Sequence, residues 1–437
     1  MKLAGTKVTV VGMGRSGASA IVLLHAHGAV VTAVDQKPGG VVHGVTVQAQ
    51  DAAAFADAEL VVVSPGVPAD LDVLQAARAR GVKVIGELEL AAPFLRGTTI
   101  GITGSNGKTT TTALIGHILR ESGVACQVGG NIGTPPTAMI DASREGQYNV
   151  LELSSFQLET IETFHAQIGV ALNVTDNHLD RHYTLARYAA AKARLFENQT
   201  AEDYAILNAD NAHTAGFASL IHGHLLWFSS TQDVAGASIR DGAIALHGEP
   251  LMPTAEIPLK GLHNVENVMA ASLAAQLAGA QIPQIAAAIR TFPGVEHRLE
   301  AVRTLNGVAY YNDSKATSVD ATLKAIDAFA GNLWIVLGGK DKKSDYTVLR
   351  EPLRAKAHAA LLIGAAAEKI AAQLAGAVPL IAAGTLDLAV ERAAQAASPG
   401  DVVLLAPACA SFDQFKSFEH RGEVFKQLVR QLPERPA

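Results

Sequence analysis

The chain has 437 residues, a length that suits two to four domains of ~150 residues and several buried cores. Thirty-five basic side chains face forty-one acidic ones, a formal charge of −6, so the sequence carries no electrostatic footprint for nucleic acid or anionic lipid. At 49% hydrophobic and 17% charged residues it is not a disordered chain.

Two cysteines, Cys126 and Cys409, are too few for a disulfide framework or a cysteine metal site and are expected as small buried residues. The first apolar run is broken by Gly12, Gly14 and Arg15, unlike a signal peptide. No apolar run reaches the ~18 residues that would suggest a membrane span.

Short Val/Ile-rich runs alternate with Ala/Leu-rich stretches, which predicts an α/β fold of parallel sheets covered by helices. A first unit, residues 1–92, begins with a strand at 7–11, a glycine turn at 12–17 and a helix to about residue 27. A strand at 30–34 ends in Asp35, and strands at 60–63 and 82–85 lead to a helix near 87–92, before Pro93. The second unit, 93–294, opens with a strand at 98–103, a glycine-rich turn and a helix from Lys108. Strands near 149–153 and 168–173, a helix at 186–196 and a strand at 204–207 follow. Residues 226–259 read as short strands and turns, an antiparallel appendix, before helices at 265–277 and 281–289 and the break at Pro293-Gly294. The third unit, 295–437, has strands near 308–311, 333–337, 359–363 and 402–405.

The segment Thr103-Gly104-Ser105-Asn106-Gly107-Lys108-Thr109-Thr110 joins a predicted strand to a predicted helix. Its glycines let backbone N–H groups converge on phosphate oxygens, and the helix N-terminus adds positive potential. Lys108 would reach the β/γ-phosphates of ATP and the Thr109 hydroxyl would face Mg²⁺. Strict Walker A spacing needs a glycine at position 102, where this chain has Ile102.

Gly12-Met13-Gly14-Arg15-Ser16-Gly17 is a complete G-x-G-x-x-G, with Asp35 ending the next strand. Alone it predicts a diphosphate on the helix N-terminus and Asp35 on a ribose. Ser64-Pro65-Gly66 also follows a strand and could add donors to the same ligand. An ATP loop together with a separate diphosphate turn suggests that ATP is consumed to modify a nucleotide-bearing substrate. A nicotinamide-dependent oxidoreductase would explain the Gly12–Gly17 turn and Asp35 but leaves the ATP loop without purpose.

Further motifs follow in order: Asn131-Ile132-Gly133, Leu151-Glu152-Leu153-Ser154-Ser155-Phe156-Gln157-Leu158, the run from Asn173 through His178 to His182, and Ala190-Ala191-Lys192. Glu296-His297-Arg298, Asn312-Asp313-Ser314-Lys315-Ala316-Thr317 and the run from Pro407 to Phe415 complete them. Along essentially its whole length the chain resembles the Mur ligases, and within them those that add D-glutamate to UDP-N-acetylmuramoyl-L-alanine. A folate-polyglutamate-type ligase shares the ATP loop, but the Gly12–Gly17 turn and the Ser411 region argue against it.

The resemblance implies three domains: an N-terminal Rossmann-like domain binding the UDP substrate, a central P-loop ATPase-like domain and a C-terminal Rossmann-like domain. It implies ATP and two Mg²⁺ ions as cofactors, with Thr109, Glu152 and His178 as metal ligands. It also implies CO₂, which carbamylates Lys192 so that it supports the His178 metal. Asn131 is implied to contact the muramoyl substrate or the ATP phosphates; Gly14, Arg15, Ser16, Asp35, Ser64 and Gly66 would lie on its UDP end. Asn264, Arg298 and Asp313 would hold the adenine nucleotide, and Lys315 would neutralise the transferred phosphoryl group. The amino-acid pocket would use Thr317, Lys342, Ser411 and Phe418, with Lys342 selected over Lys340 and Lys343 because it stands three positions after Gly339. The implied setting is a cytoplasmic monomer, with neither nucleic acid nor membrane as partner. Hinges are expected near Pro93 and Pro293-Gly294.

Overall fold

Valine-rich runs of four to six residues, walled by helices, pair side by side in parallel in the computed structural model, which describes residues 2–176 and 179–434. Among these residues three sheets form. The first has the order Val41–Val42, Val45–Ala49, Val30–Asp35, Lys7–Val11, Leu60–Val63, Lys83–Gly86. Period-two alternation feeds a core on each face: Val8, Val10, Leu60 and Val62 enter one, Val11, Val34, Val61 and Val63 the other.

The central sheet runs Glu249–Pro253, Ala243–Leu246, Gly236–Arg240, His224–Ser229, Tyr204–Asn208, Ile168–Ala171, Thr98–Thr103, Tyr148–Glu152, Cys126–Gly130. The expected antiparallel appendix is therefore not separate. Strand His224–Ser229 pairs in parallel with Gly236–Arg240, and only the last strands turn antiparallel, extending the sheet. The strand Cys126–Gly130 was not expected; its Gly-Gly end lacks β-formers. It lies at the sheet edge, which leaves Cys126 half-buried rather than buried, whereas Cys409 is buried as expected.

The third sheet runs Glu300–Leu305, Val308–Asn312, Val402–Leu405, Leu333–Gly338, Ala357–Ile363, Leu380–Gly384. Leu333, Ile335 and Leu337 enter one core while Val336 enters the other. In the first two sheets adjacent strands send their crossovers to opposite sides: Lys7–Val11 and Leu60–Val63 in the first, Thr98–Thr103 and Ile168–Ala171 in the second. Loops diverge at the carboxyl ends of such strands and leave a crevice, where α/β proteins bind ligands. By packing, the chain divides into two compact units, one of residues 1–257 with 263–292 and the other of 258–262 with 293–437.

Within the first unit, two buried carboxylates on helix Glu87–Ala91 tie the first sheet to the central one. Glu89 accepts from the backbone of Glu162, Thr163 and Phe164 and from the Thr163 hydroxyl. Glu87 accepts from Thr137 N at 2.7 Å and Thr137 Oγ1 at 2.6 Å, while its Oε2 is buried without a hydrogen bond. Burial dominates and pushes Glu87 up to about 7.

The folded state therefore holds a proton that the unfolded chain releases near the ordinary carboxylate value. Stability from this group is complete below that value and lost as pH rises through about 7. Glu87→Gln, neutral at every pH, should melt several degrees above the parent at pH 8 and level with it at pH 5. Parallel melting curves across that range would show Glu87 to be ionised in the fold.

Candidate active site

Gly104–Gly107 leave the carboxyl end of strand Thr98–Thr103 and enter helix Lys108–Glu121. Gly107 takes φ 83° at the helix N-cap, and a Cβ there would fall 2.2 Å from Asn267 Oδ1, so only glycine fits. Ile102 is buried within the strand, opposite Val170 and Glu152. The chain is still extended at the position where strict spacing wants a glycine, and the turn begins at Gly104. The neighbouring strand end shapes the loop. Ser105 N donates to Asn173 O at 2.8 Å, Asn106 N to Asn173 Oδ1 at 2.9 Å, and Thr175 N to Ser105 Oγ at 3.0 Å. The sequence displayed Asn173 and Thr175 in a motif without disclosing this work.

Lys108 Nζ donates to Gly104 O at 2.7 Å and Ser105 O at 3.2 Å, and Thr110 is buried in the first helical turn. Thr109 Oγ1 donates to Glu152 Oε2 at 2.8 Å. Glu152 ends the adjacent strand, 2% exposed; Asn131 Nδ2 donates to its Oε1 at 2.9 Å. Asn264 joins through Asn267, whose Nδ2 donates to Asn264 Oδ1 at 3.0 Å and whose Oδ1 accepts from Thr111 at 3.3 Å. His178 lies outside the described residues.

Lys192, on helix Leu185–Ala193, is 1% exposed and donates to Gly104 O at 2.8 Å. The Tyr188 ring, one turn earlier, lies 4.3 Å from its Nζ. Burial first, then the Lys108 charge, drive its pKa well below the ordinary lysine range, with Glu152 opposing. The amine is held toward its neutral, nucleophilic form. The unfolded chain binds a proton there that the fold rejects, so stability rises with pH up to the ordinary lysine value of about 10.4. In CO₂-free buffer the melting temperature of the parent should climb relative to Lys192→Met between pH 7 and 10. A constant offset would mean that the folded lysine is charged.

In the first sheet, Gly17 is forced: a Cβ would stand 1.9 Å from Gly12 O. Ser64 Oγ donates to Gly12 O at 2.7 Å, and Asp35 accepts from Met13 N at 2.7 Å and Lys37 N at 3.0 Å. These backbone bonds hold the Asp35 carboxyl below its usual value. Ser64 and Asp35 thus build the turn itself, a role the motif did not reveal. Gly14, Arg15 and Gly66 are exposed and Ser16 half-buried; Arg15 Nη1 donates to Gly133 O at 3.3 Å.

The second unit gathers its set at the carboxyl ends of strands Val308–Asn312, Leu333–Gly338 and Val402–Leu405. Asp313 is buried and pushed up to about 7 by burial, opposed by the Arg298 charge. Lys315 Nζ stands 3.8 Å from the centre of the Phe418 ring. Lys342 Nζ donates to Thr317 O at 3.2 Å and Oγ1 at 3.4 Å, whereas Lys340 joins Ala410 through its backbone. Ser411 is 2% exposed. Sequence reasoning passed over Arg421, the largest fully buried side chain, which donates to Ser314 and Cys409. Glu296, His297 and Glu423 bring metal-type atoms within 4.8 Å of one another. Lys426 Nζ sits on this cluster, paired with Glu296, with Glu423 at 2.8 Å and with Glu300 at 3.3 Å, so an ammonium already offsets part of their charge.

A phosphate-type loop facing a buried acid, on an α/β chain with a second glycine turn, defines a nucleotide-dependent enzyme class. Residues 6–86 match the Mur ligase MurD-like N-terminal domain, 102–275 the Mur ligase middle domain and 297–409 the Mur ligase glutamate ligase domain. The chain belongs to the Mur ligase family.

It is 61% identical over 438 residues to the UDP-N-acetylmuramoylalanine–D-glutamate ligase of Solibacter usitatus, covering 99% of each chain. To the protein of that name in Acidobacterium capsulatum it is 52% identical over 447 residues, 98% of this chain and 97% of the other. Solved structures share the fold. UDP-N-acetylmuramate-alanine ligase of Thermotoga maritima is 18% identical at TM-score 0.62, over 97% of this chain and 99% of that one. The MurF ligase of Thermotoga maritima in complex with ADP is 16% identical at TM-score 0.61, over 99% and 97%. Among the described residues no helix is long and apolar enough to cross a membrane.

Proposed function

We propose that this chain joins D-glutamate to UDP-N-acetylmuramoyl-L-alanine at the expense of ATP, a step in peptidoglycan precursor synthesis. The reading is carried by the phosphate-type loop whose Thr109 hydroxyl meets the buried Glu152 carboxylate at 2.8 Å, in a chain so close to relatives of that name.

Amide formation from a carboxylate is uphill in water. A carboxylate oxygen of the alanyl group attacks the γ-phosphorus of ATP; the bond to the β-phosphate oxygen breaks, giving an acyl phosphate and ADP. The neutral amine of D-glutamate then attacks the acyl carbon, and phosphate departs as the nitrogen loses a proton. Positioning and charge neutralisation supply most of the catalysis in such transfers. Lys108, whose ammonium already lies on the loop carbonyls, turns to the β/γ oxygens. The Gly12–Gly17 turn and Ser64–Gly66 take the UDP end; Asn131 takes the muramoyl end or the ATP phosphates. Asn264, Arg298 and Asp313 hold the adenine nucleotide, Lys315 offsets phosphoryl charge, and Thr317, Lys342, Ser411 and Phe418 receive glutamate.

Hydroxyl and carboxylate oxygens side by side, with Glu152 bonded to neutral donors, form a hard-oxygen donor set that fits Mg²⁺. Thr109 and Glu152 would hold one ion and His178 a second. When bound, the ions withdraw charge from the triphosphate oxygens. The neutral Lys192 amine suits addition to the carbon of CO₂, releasing one proton to water and leaving a carbamate in place of a cation.

Phosphate release from ATP should require both UDP-N-acetylmuramoyl-L-alanine and D-glutamate, with Mg²⁺ and bicarbonate present. Lys108→Ala should lower it by roughly 10²-fold or more, and Lys192→Ala should lose activity and regain part of it with added acetate. Release independent of either acceptor, or no release at all, removes the assignment. Lys342→Ala should raise the D-glutamate KM about tenfold, the order expected for one lost charged hydrogen bond, with the nucleotide-substrate KM unchanged. The same result from Lys340→Ala instead would move the pocket by two residues.

A further inference from the structure

Two adjacent strands of the third sheet, Leu333–Gly338 and Val402–Leu405, end in the loops that carry Lys342 and Ser411. The loops are joined directly: Lys340 N donates to Ala410 O at 2.8 Å, and Ala410 N to Lys340 O at 3.2 Å. Beneath that join lies Tyr346, 0% exposed. Its hydroxyl is 2.8 Å from Asp341 Oδ1 and 3.0 Å from Cys409 Sγ. A phenol has one proton, which goes to the carboxylate, so the Cys409 thiol donates to the phenol oxygen.

Both partners are fixed from outside. Asp341 accepts from Ser344 N at 3.1 Å and pairs with Lys369 at 2.8 Å, and Cys409 O accepts both terminal nitrogens of Arg421 at 3.2 Å. We propose that Tyr346 is a positioning residue of the amino-acid pocket, locking through Asp341 and Cys409 the two loops that present Lys342 and Ser411. This rests on the reading of that pocket given above. The ring belongs to a core of Leu333, Ile335, Leu337 and Leu349, where phenylalanine would pack equally well. The hydroxyl adds no packing and costs desolvation; what it gains is an ordered bond to each loop.

Tyr346→Phe removes the hydroxyl alone. The D-glutamate KM should rise about five- to tenfold, the loss expected for a buried hydrogen-bond pair. The KM values for ATP and the nucleotide substrate, and kcat, should stay within twofold. Amides of Lys340–Ser344 and Cys409–Ser411 should exchange hydrogen faster, together, in the variant. Asp341→Asn should act in the same direction, and the double variant should be no worse than Asp341→Asn, because both break one connection.

An unchanged D-glutamate KM in active Tyr346→Phe, a fall in kcat with every KM intact, or unaltered exchange in the two loops overturns the proposal. If the parent protein shows no D-glutamate-dependent phosphate release, the assigned reaction fails by itself. The exchange comparison still decides whether Tyr346 holds the loops.

Discussion

The Glu152 carboxylate dictates the arrangement around it. Removing a carboxylate from water costs several kcal/mol even after the surroundings relax. Here it is met by a threonine hydroxyl and an asparagine amide, neutral donors each contributing about 1.5–3 kcal/mol when they bond to a charged group. Both donors must therefore be delivered with small tolerance. Thr109 is fixed by the helix that Gly107 initiates, and Asn131 by its backbone bond to Glu152 O at 2.7 Å. Lys108 and Lys192 converge on one carbonyl, Gly104 O. That places two amines beside the acid and disfavours charging both.

The second unit solves a similar problem differently. Burial drives Asp313 toward neutrality, with the Arg298 charge and a backbone hydrogen bond from Leu299 restraining the shift. Its neighbours are held by Arg421, a guanidinium satisfied by a hydroxyl and main-chain carbonyls. One unit surrounds a buried acid with neutral donors; the other buries an acid and a base within one loop cluster.

Much of this was legible in the residues. Strands of β-branched side chains announced themselves, Thr98–Thr103 and Val402–Leu405 without error, because burial on both faces leaves an uninterrupted apolar signal. The edge strands Cys126–Gly130 and Leu380–Gly384, and Val45–Ala49 beside the edge of the first sheet, were missed: partial exposure and glycine dilute that signal. Loop chemistry was legible where a residue type has few alternative uses, as with Lys108 and Thr109. It was hidden where a side chain serves the backbone. Asp35 and Ser64, expected at the ligand, also brace their own turn. Asn173 and Tyr346 act across 67 and 63 residues of chain, on Asn106 and Cys409 respectively, a separation that no local pattern encodes.

The antiparallel extension of the central sheet has a bearing on how the molecule behaves in a crowded solution. Its outermost strand, Glu249–Pro253, carries proline at positions 250 and 253, each lacking an amide hydrogen. A sheet of nine strands would otherwise offer a long unpaired rim to other copies of itself, an invitation to aggregate. Here that rim ends in residues that cannot complete a ladder, so the largest sheet stops growing where the chain stops adding to it.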